Sequence, residues 1–558
     1  MAVCLRFGPG PDAIRPGGKT KIGLSRAGFF CAVIAACAAL PVHAFAEAVQ
    51  PVQAPNIPGP TTSTQSGTNP PALQLAGALD LSEGYTTNAG GQQGTSIGKP
   101  DTFTRGGIGF GLHYAGAMLT SDLHYTLTGD YYSRFHRLDQ LINRLNFTSR
   151  AEIVQDHLFL NLTAFATPTA LSRVGAISAN ESSVSNINNR NTYGYIAEPQ
   201  FAFHIGDYAV SQASVSEGGV FFQTPSTANT GPPLPITPAR NSTLTDATEK
   251  ISSGTFFGRL QWDLTGSYTK MRQTTQSEER DEGTVDAAYA LNRVVTLLAT
   301  AGYERYRASI ALTQSLSGPV ALSGVKFAYG PTFNVTAEAG VRNRFPAYIG
   351  SLHWDITAMS SVEGSLTDSI STPQGNILSN LSTLAASAEG AFSDSQSYYW
   401  QTQEQALFPQ FATSSPISLN GLALDNSINH ERQARLALLH QGERTQFGLS
   451  FFGNDRERVS VSTSMLPRKS WVYGARFNVT RKMREDLTGH AGVSYSYANE
   501  FGGHDRILNA DAGLTYVLGE NFDCFLTGRY LHRESRGQVV TNVPLSEVVA
   551  IVGIRTTF

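Results

Sequence analysis

The chain ends in SEVVAIVGIRTTF, residues 546–558, and the interpretation of the whole sequence depends on this stretch. Alternate positions in it are mostly apolar and lead to a terminal aromatic residue: Val548, Ala550, Val552, Ile554, Thr556 and Phe558. Because successive side chains of a strand point to opposite faces, these residues share one face of an extended strand. Such a strand suits either the end of a soluble sheet or the closing strand of a membrane barrel.

A membrane-spanning form of this chain would have to be a barrel. Of its 558 residues, 41% are hydrophobic and 15% are charged, yet no internal apolar run reaches the roughly 18 residues that a spanning helix needs. The most apolar segment, 27–42, follows several basic residues and precedes Ala44-Phe45-Ala46. This order predicts a cleaved signal peptide over residues 1–46. An uncleaved anchor helix and a lipoprotein signal at Cys37 are the alternatives.

Removing residues 1–46 changes the charge and the cysteine content. Three of the four cysteines leave with the signal, so Cys524 remains alone and no internal disulfide forms. The signal carries five of the 41 basic residues and one of the 44 acidic residues, which leaves 36 and 43 and a formal net charge of −7. This balance predicts no nucleic-acid partner.

Residues 47–72 are rich in proline, threonine, serine and glutamine and show no periodicity. This composition predicts a disordered periplasmic arm. A TonB-dependent transporter would need a plug domain of well over about a hundred residues before the barrel, so the short arm argues against that class.

From residue 73 onward, apolar and polar residues alternate over long stretches. In Arg259–Thr269 the apolar face holds Leu260, Trp262, Leu264 and Tyr268, and the polar face includes Arg259, Gln261 and Asp263. Leu119–Tyr132 and Trp471–Thr480 repeat the pattern. Strands of soluble sandwiches usually have about five or six residues, whereas these stretches are long enough for tilted strands that cross lipid.

The connections between these strands alternate between short and, in most cases, long. Short turns are predicted near residues 116, 155, 206, 253, 292, 330, 360, 441, 482 and 519. The longer connections are predicted at 88–100, 135–138, 168–190, 224–247, 272–281, 307–321, 342–346, 372–429, 454–469, 499–504 and 534–545. This layout predicts an all-β fold, a transmembrane antiparallel barrel of about 22 strands over residues 73–558, with 18 or 20 strands as alternatives. The short turns would be periplasmic and the longer loops extracellular.

The longest connection is the insert 373–429. Its first part places Ile377, Leu381, Leu384 and Ala388 at helical spacing, which is typical of a short amphipathic helix. The segment either folds into the barrel as a constriction, or it lies over the outer loops as a helix or is disordered. The sequence favours neither arrangement.

Several stretches resemble a known group of proteins. They are ALDLSEGYTTN (78–88), NNRNTYGYIAEPQFAFHIGDYAV (188–210), VDAAYALNRVVTLLATAGYERY (285–306), the segment 324–372 and LTYVLGENFDCFLTGRYLHRESRG (514–537). They are similar to outer-membrane β-barrel proteins associated with PEP-CTERM/exosortase and exopolysaccharide clusters, and to the broader porin-like families. In such barrels a terminal aromatic residue, here Phe558, serves as an assembly signal. The resemblance implies a bacterial outer-membrane location and a role in polysaccharide export or envelope biogenesis.

Polar side chains on the strands are candidates for the pore lining. Spacing of two places them on one face, and the candidates are Asp122, His124, Asp130, Arg259, Gln261, Asp263, His353, Asp355, Arg476 and Arg529. If Arg476 and Arg529 both point inward, they bias the pore toward anionic or sugar-acid solutes. A hydrated wall is favoured over a metal site or an acid/base pair, and no catalytic motif appears. The sequence therefore predicts no enzyme, no metal and no cofactor.

The sequence thus predicts a channel or export conduit for hydrophilic solutes. A non-conducting barrel that acts through partners in a surface-polysaccharide complex is the alternative. The expected partners are outer-membrane lipid and lipopolysaccharide, the barrel-assembly machinery and polysaccharide-export components. Basic residues such as Arg456, Arg458, Arg468 and Lys469 would contact lipopolysaccharide phosphates if they lie on an outer loop.

Overall fold

The computed structural model describes residues 73–90, 98–170, 189–222, 241–273, 276–310, 312, 316–372, 427–460, 468–500, 503–519, 521–536 and 545–558. The predicted signal peptide (1–46), the predicted arm (47–72) and residues 373–426 of the insert lie outside this part of the chain.

The described residues form 22 strands in one antiparallel sheet. In chain order they are β1 (Leu73–Ala89), β2 (Lys99–Ala115), β3 (Leu119–Tyr132), β4 (Gln140–Val154), β5 (Leu158–Ala170), β6 (Asn189–Ile205), β7 (Ala209–Phe222), β8 (Ser242–Ser253), β9 (Leu260–Gln273), β10 (Ser277–Ala290), β11 (Val295–Ala308), β12 (Gly318–Tyr329), β13 (Phe333–Arg342), β14 (Phe345–Thr357), β15 (Ser360–Ser371), β16 (Asn429–Gln441), β17 (Thr445–Arg458), β18 (Lys469–Lys482), β19 (Leu487–Glu500), β20 (Gly503–Gly519), β21 (Phe522–Arg536) and β22 (Leu545–Thr557). Within the connections that the structure describes there are two single 3₁₀ turns, His136–Leu138 and Thr255–Phe257. No helix among the described residues is long and apolar enough to cross a membrane.

The sheet closes on itself. Each strand pairs with its neighbours in sequence, and β22 pairs with β1 from Thr557 opposite Ala78 to Val549 opposite Thr86. Beyond this ladder, the Gly77 N–H donates to the Phe558 carbonyl (2.7 Å) and the Phe558 N–H donates to the Gly77 carbonyl (3.0 Å). Closure pairs the backbone groups that lipid could not satisfy. The predicted barrel of about 22 strands is confirmed.

The two faces of the wall differ in character. Arg342 on β13 reaches Glu282 on β10, three strands away, so these side chains lie on the concave inner face. Counting alternate residues along the ladders from there places Val552 and Ile554 of β22 on the outer face, where they are exposed. The outer face is the apolar one, as predicted for Leu119–Tyr132, Arg259–Thr269 and Trp471–Thr480.

The connections sort into a short-turn end and a long-loop end, as predicted, but some loop bounds are wrong. The predicted loop 272–281 is wrong, because β9 continues to Gln273 and β10 begins at Ser277, and the predicted loops 454–469 and 499–504 are too long, because β17 continues to Arg458 and β19 to Glu500. Residues 277–281 are strand, with ion pairs across strands that include Lys270 with Glu279. The β13–β14 connection is tighter than predicted and consists of Asn343 and Arg344, both at positive φ (52° and 72°), which suits a two-residue hairpin.

The wall departs from a regular barrel at the long-loop end of β15 and β16. β14 pairs with β15 only up to Gly350 opposite Leu366, whereas β15 and β16 stay paired up to Ser371 opposite Asn429. We call residues 367–372 and 427–432 the inward strand ends. The Thr372 hydroxyl lies 3.6 Å from the sulfur of Met271, which belongs to β9, six strands away. The inward strand ends therefore separate from β14 and lean into the barrel, while β16 stays paired with β17 up to Asn429 opposite Arg458.

Burial of the inward strand ends supports this arrangement. Asn429, His430 and Glu431 are consecutive and point to alternate faces, yet each is at most 3% exposed. The His430 ring packs on Phe345 of β14 with ring centroids 4.5 Å apart, and Ile370 lies in an apolar cluster with Tyr306, Leu316, Ile428 and Val459. Both faces are covered because this part of the sheet leans into the barrel.

Candidate functional site

An ion pair lies on the interior wall close to the place where β22 pairs with β1. Arg105 on β2 and Asp130 on β3 are opposite each other in the ladder. The Arg105 Nε and Nη2 atoms each donate to one Asp130 oxygen at 2.7 Å, and both side chains are buried. Two parallel charge-assisted bonds fix a guanidinium rigidly. The pair therefore orients the polar side chains around it.

The other β3 candidates lie nearer the short-turn end of the same wall. Asp122 accepts a hydrogen bond from His113 of β2, with 2.5 Å between Nδ1 and Oδ1. His124 lies opposite Gly111 in the ladder and is buried. The structure thus brings Asp122, His124 and Asp130 onto one interior face, as their spacing of two predicts.

Between these groups the wall contains a cavity of about 430 Å³, which we call the glycine hollow. Its inward-facing lining consists of Ala76, Ala78, Asp80, Gly107, Gly109, Gly111, His124, Thr126, Thr128, Arg555 and Thr557. Small residues of β1 and β2 form the floor. Outward-facing Ile108 and Phe110 line it as well, which is expected where neighbouring glycines leave the main chain uncovered.

Asp80 is the polar group on which the geometry of the hollow depends. Its carboxylate lies over Gly107, where a Cβ would stand 2.1 Å from Oδ2. Glycine at this position therefore makes room for the acid. Asp80 Oδ2 is buried and has no hydrogen-bond partner within the described part of the chain, and an unmet buried acceptor costs roughly 1–3 kcal/mol or more.

The β9 and β14 candidates lie elsewhere. Gln261 and Asp263 face the interior on β9, where Asp263 pairs with Lys250 (3.1 Å), while Arg259 precedes the strand at the short-turn end and is exposed. On β14, His353 and Asp355 also face inward, with 3.4 Å between Nε2 and Oδ2. β14 is eleven strands from β3, half of the barrel's 22. The structure does not bring these residues to the glycine hollow.

Arg476 and Arg529 both face the interior and are buried. Arg529 lies opposite Asp511 in the β20–β21 ladder, so an acidic residue accompanies its charge. Arg476 lies between serines of β17 and β19, Ser450 and Ser494. Their predicted inward orientation agrees with the structure, while the predicted preference for anions remains a prediction.

Sequence reasoning missed two groups of interior residues. Asp80 and Arg105 were not selected, although alternation places Asp80 opposite the outward-facing Leu79 and Leu81, and the short turn after β2 fixes Arg105 against Asp130. The second group is an alternating set of ion pairs on β10, β11 and β13, formed by Arg280, Glu282, Glu304 and Arg342. The two contacts of Arg342 span non-adjacent strands, so only the curved sheet reveals them.

Two observations concern ionisable groups outside these sites. At the β18–β19 turn, hydrogen bonds from Arg484 hold the pKa of Asp486 below its usual value. Within the described residues, no group of three or more His, Cys, Asp or Glu side chains could hold a metal ion.

Comparisons with known proteins returned structures only. No family model and no curated protein matches the chain. A mutant of the ferric enterobactin receptor of Pseudomonas aeruginosa is similar, with 9% identity, 87% of this chain and 80% of that chain covered and a TM-score of 0.40. P. aeruginosa FpvA bound to a heterologous pyoverdine is also similar, with 9% identity, 86% of this chain and 72% of that chain covered and a TM-score of 0.44. The FrpB iron transporter of Neisseria meningitidis has 8% identity, with 86% of this chain and 82% of that chain covered and a TM-score of 0.38.

The location follows from the barrel's own geometry. An even number of antiparallel strands, a closed ladder and an exposed apolar outer face are the features of bacterial outer-membrane barrels. The protein is an outer-membrane β-barrel. Its outer face, which includes Leu79, Ile108, Leu264 and Val552, contacts lipid, and its inner face holds the charged groups described above.

Proposed function

We propose that the barrel is a passive conduit for hydrophilic solutes across the outer membrane. The observation that carries this proposal is the inner face, where buried charged pairs and polar residues line a closed wall of 22 strands. Barrels of about 16 to 18 strands already leave an aqueous channel. The wall needs no covalent chemistry for this function, so we propose no enzymatic activity.

The solute we favour is surface polysaccharide. This part of the proposal is supported by the resemblance of segments such as 188–210 and 285–306 to barrels of exopolysaccharide clusters. On this proposal the long-loop end is extracellular, and the partners are lipopolysaccharide, the assembly machinery and polysaccharide-export components. Gene neighbourhood tests the link, since glycosyltransferase and export genes beside this one would support it and their absence would oppose it.

A second candidate is a non-conducting scaffold. The inward strand ends favour it, because the buried stretch Asn429–Glu431 and the apolar cluster around Leu316 fill space inside the barrel at the long-loop end. A scaffold of this kind would act through partners in an envelope complex.

Planar-bilayer recording distinguishes the two candidates. The purified protein and a variant that lacks residues 376–426 are inserted at matched amounts, and heat-modifiable gel migration verifies that both are folded. Conductance steps that grow in the deletion variant support the conduit. Silence of both folded proteins contradicts it and favours the scaffold.

A further inference from the structure

We propose that the glycine hollow is a binding site for one sugar ring of the solute. That the bound sugar is part of the transported solute rests on the proposed conduit function. The binding itself depends only on the hollow. Three features of the hollow support the proposal: its floor, its polar rim and the buried atom Asp80 Oδ2.

The floor suits the flat face of a ring. Gly109 and Gly111 of β2 lie opposite Ala78 and Ala76 of β1, so no side chain larger than a methyl group stands at these four positions, and the Asp80 carboxylate borders them over Gly107. A volume of about 430 Å³ lies within the roughly 300–1,000 Å³ of small-molecule sites. A ring can therefore lie against the strand backbone without displacing side chains.

The rim offers hydrogen-bonding groups of both kinds. Asp80 accepts, Arg555 donates, and the hydroxyls of Thr126 and Thr128 do both. Each hydroxyl of a sugar also donates and accepts, so a ring with several hydroxyls can match this arrangement. An aliphatic or purely anionic ligand would leave either the acceptor or the donors unmatched.

The strongest indication is Asp80 Oδ2. It is buried, is directed over Gly107 and lacks a hydrogen-bond partner within the described residues. A ligand hydroxyl would supply the missing donor. Since bonds to charged groups are each worth roughly 1.5–3 kcal/mol, this one contact would account for at least about a tenfold gain in affinity.

Isothermal titration calorimetry on the folded full-length protein in detergent tests the proposal. The probes are a neutral trisaccharide, isomaltotriose, and an acidic one, trigalacturonic acid. Gly109→Leu places a side chain in the hollow, because a Cβ there lies 3.3 Å from its nearest atom, Ala78 Cβ. Gly106→Leu is the matched control, since that neighbouring residue faces outward with nothing within 4 Å of its Cβ position.

We expect at least one probe to bind the unmodified protein and the Gly106→Leu variant equally. Gly109→Leu should abolish binding. Asp80→Asn, which keeps the shape, should weaken it about tenfold, while Asp122→Asn, on the same wall but outside the lining, should leave it unchanged. If Gly109→Leu fails to fold, the comparison of Asp80→Asn with Asp122→Asn still decides.

Absence of binding by both probes, or equal binding by the Asp80→Asn and Asp122→Asn variants, would overturn the proposal. Calorimetry does not require an open pore. A barrel that binds sugar but conducts nothing would contradict the conduit and leave the binding site intact. A barrel that conducts but binds neither probe would contradict the binding site and leave the conduit intact.

Discussion

Individual residues stabilise this barrel most where charge is buried without water. Arg105 and Asp130 satisfy each other through two hydrogen bonds, and Asp80 shares their wall. At the short-turn end, Arg484 and Asp486 make a similar pair whose side chains are 66% and 31% exposed. Removing one partner should therefore lower the free energy of unfolding more at the buried pair than at the exposed pair, since burial decides the cost of an unpaired charge.

Removing one member of the buried pair should destabilise the folded barrel. Asp130→Asn leaves the Arg105 guanidinium buried beside a neutral amide, and losing one partner of a buried pair costs roughly 3–5 kcal/mol. Urea unfolding in lipid vesicles measures the free energy of unfolding. Arg484→Ala, which breaks the exposed pair, is the control and should be indistinguishable from the unmodified protein. Equal effects of the two changes would contradict the prediction.

The terminal aromatic residue is the second prediction at this scale. Phe558 places its ring over Gly77 on the outer face, where a Cβ on that glycine would lie 2.3 Å from the ring. If Phe558 is an assembly signal, Phe558→Ala should lower the amount of folded protein in the outer membrane, as measured by fractionation and heat-modifiable migration. Leu518→Ala, another exposed apolar residue, is the control. The prediction fails if both variants accumulate equally.

Among the elements, β15 and β16 differ from the rest of the wall. Their short-turn halves pair with both neighbouring strands, whereas the long-loop half of β15 separates from β14 and leans into the barrel together with that of β16, which stays paired with β17. Asp368 links this packing to charge, since its two oxygens contact His430 (2.9 Å) and Arg432 (3.1 Å). On this face the inward strand ends are thus held both by the apolar cluster and by the contacts of Asp368.

Loosening this packing should enlarge the pore. Ile370→Ala removes most of a side chain that is 6% exposed in the apolar cluster, and such truncations cost roughly 2–5 kcal/mol. We expect larger or more frequent conductance steps than in the unmodified protein. Thr367→Ala, an exposed residue three positions earlier on the same strand, should have no effect. Unchanged conductance in the Ile370→Ala variant would show that the inward strand ends do not restrict the pore.

On the scale of the whole molecule, charge is distributed unevenly around the inner face. Along the inner face of β8 to β13 there are more acidic than basic residues, namely Asp246, Asp263, Glu278, Glu282, Asp286, Glu304 and Glu338 against Lys250, Arg280, Lys326 and Arg342. Asp263 and Asp286 even lie opposite each other in the ladder. This acidic wall opposes any field from Arg476 and Arg529 on the other side of the barrel.

If the barrel conducts, the acidic wall should favour cations over anions. Reversal potentials in a potassium chloride gradient measure this preference. Replacing Asp246, Asp263 and Asp286 together by asparagine should move the permeability ratio toward equality. Glu249→Gln on the outer face of β8 is the control and should leave the ratio unchanged. An anion preference in the unmodified protein would instead support the field expected from the two arginines.

The sequence by itself determined the class of fold, the strand number and the two faces of the wall. These are properties of local alternation and turn spacing: Val552 and Ile554 face lipid because the side-chain period of a strand is two. It failed at Ser277–Asp281, where polar and charged residues give no apolar alternation and only pairing with β9 and β11 makes the stretch a strand.

Only the tertiary structure decided which residues meet inside the barrel. The glycine hollow needs β22 to close beside β1, so that Arg555 lies opposite Asp80, and the ion pair of Arg342 with Glu282 spans three strands. The inward strand ends follow from contacts between β15 and β9 that are distant in sequence. Alternation fixes the face on which a side chain lies, but closure and curvature fix its neighbours across the interior.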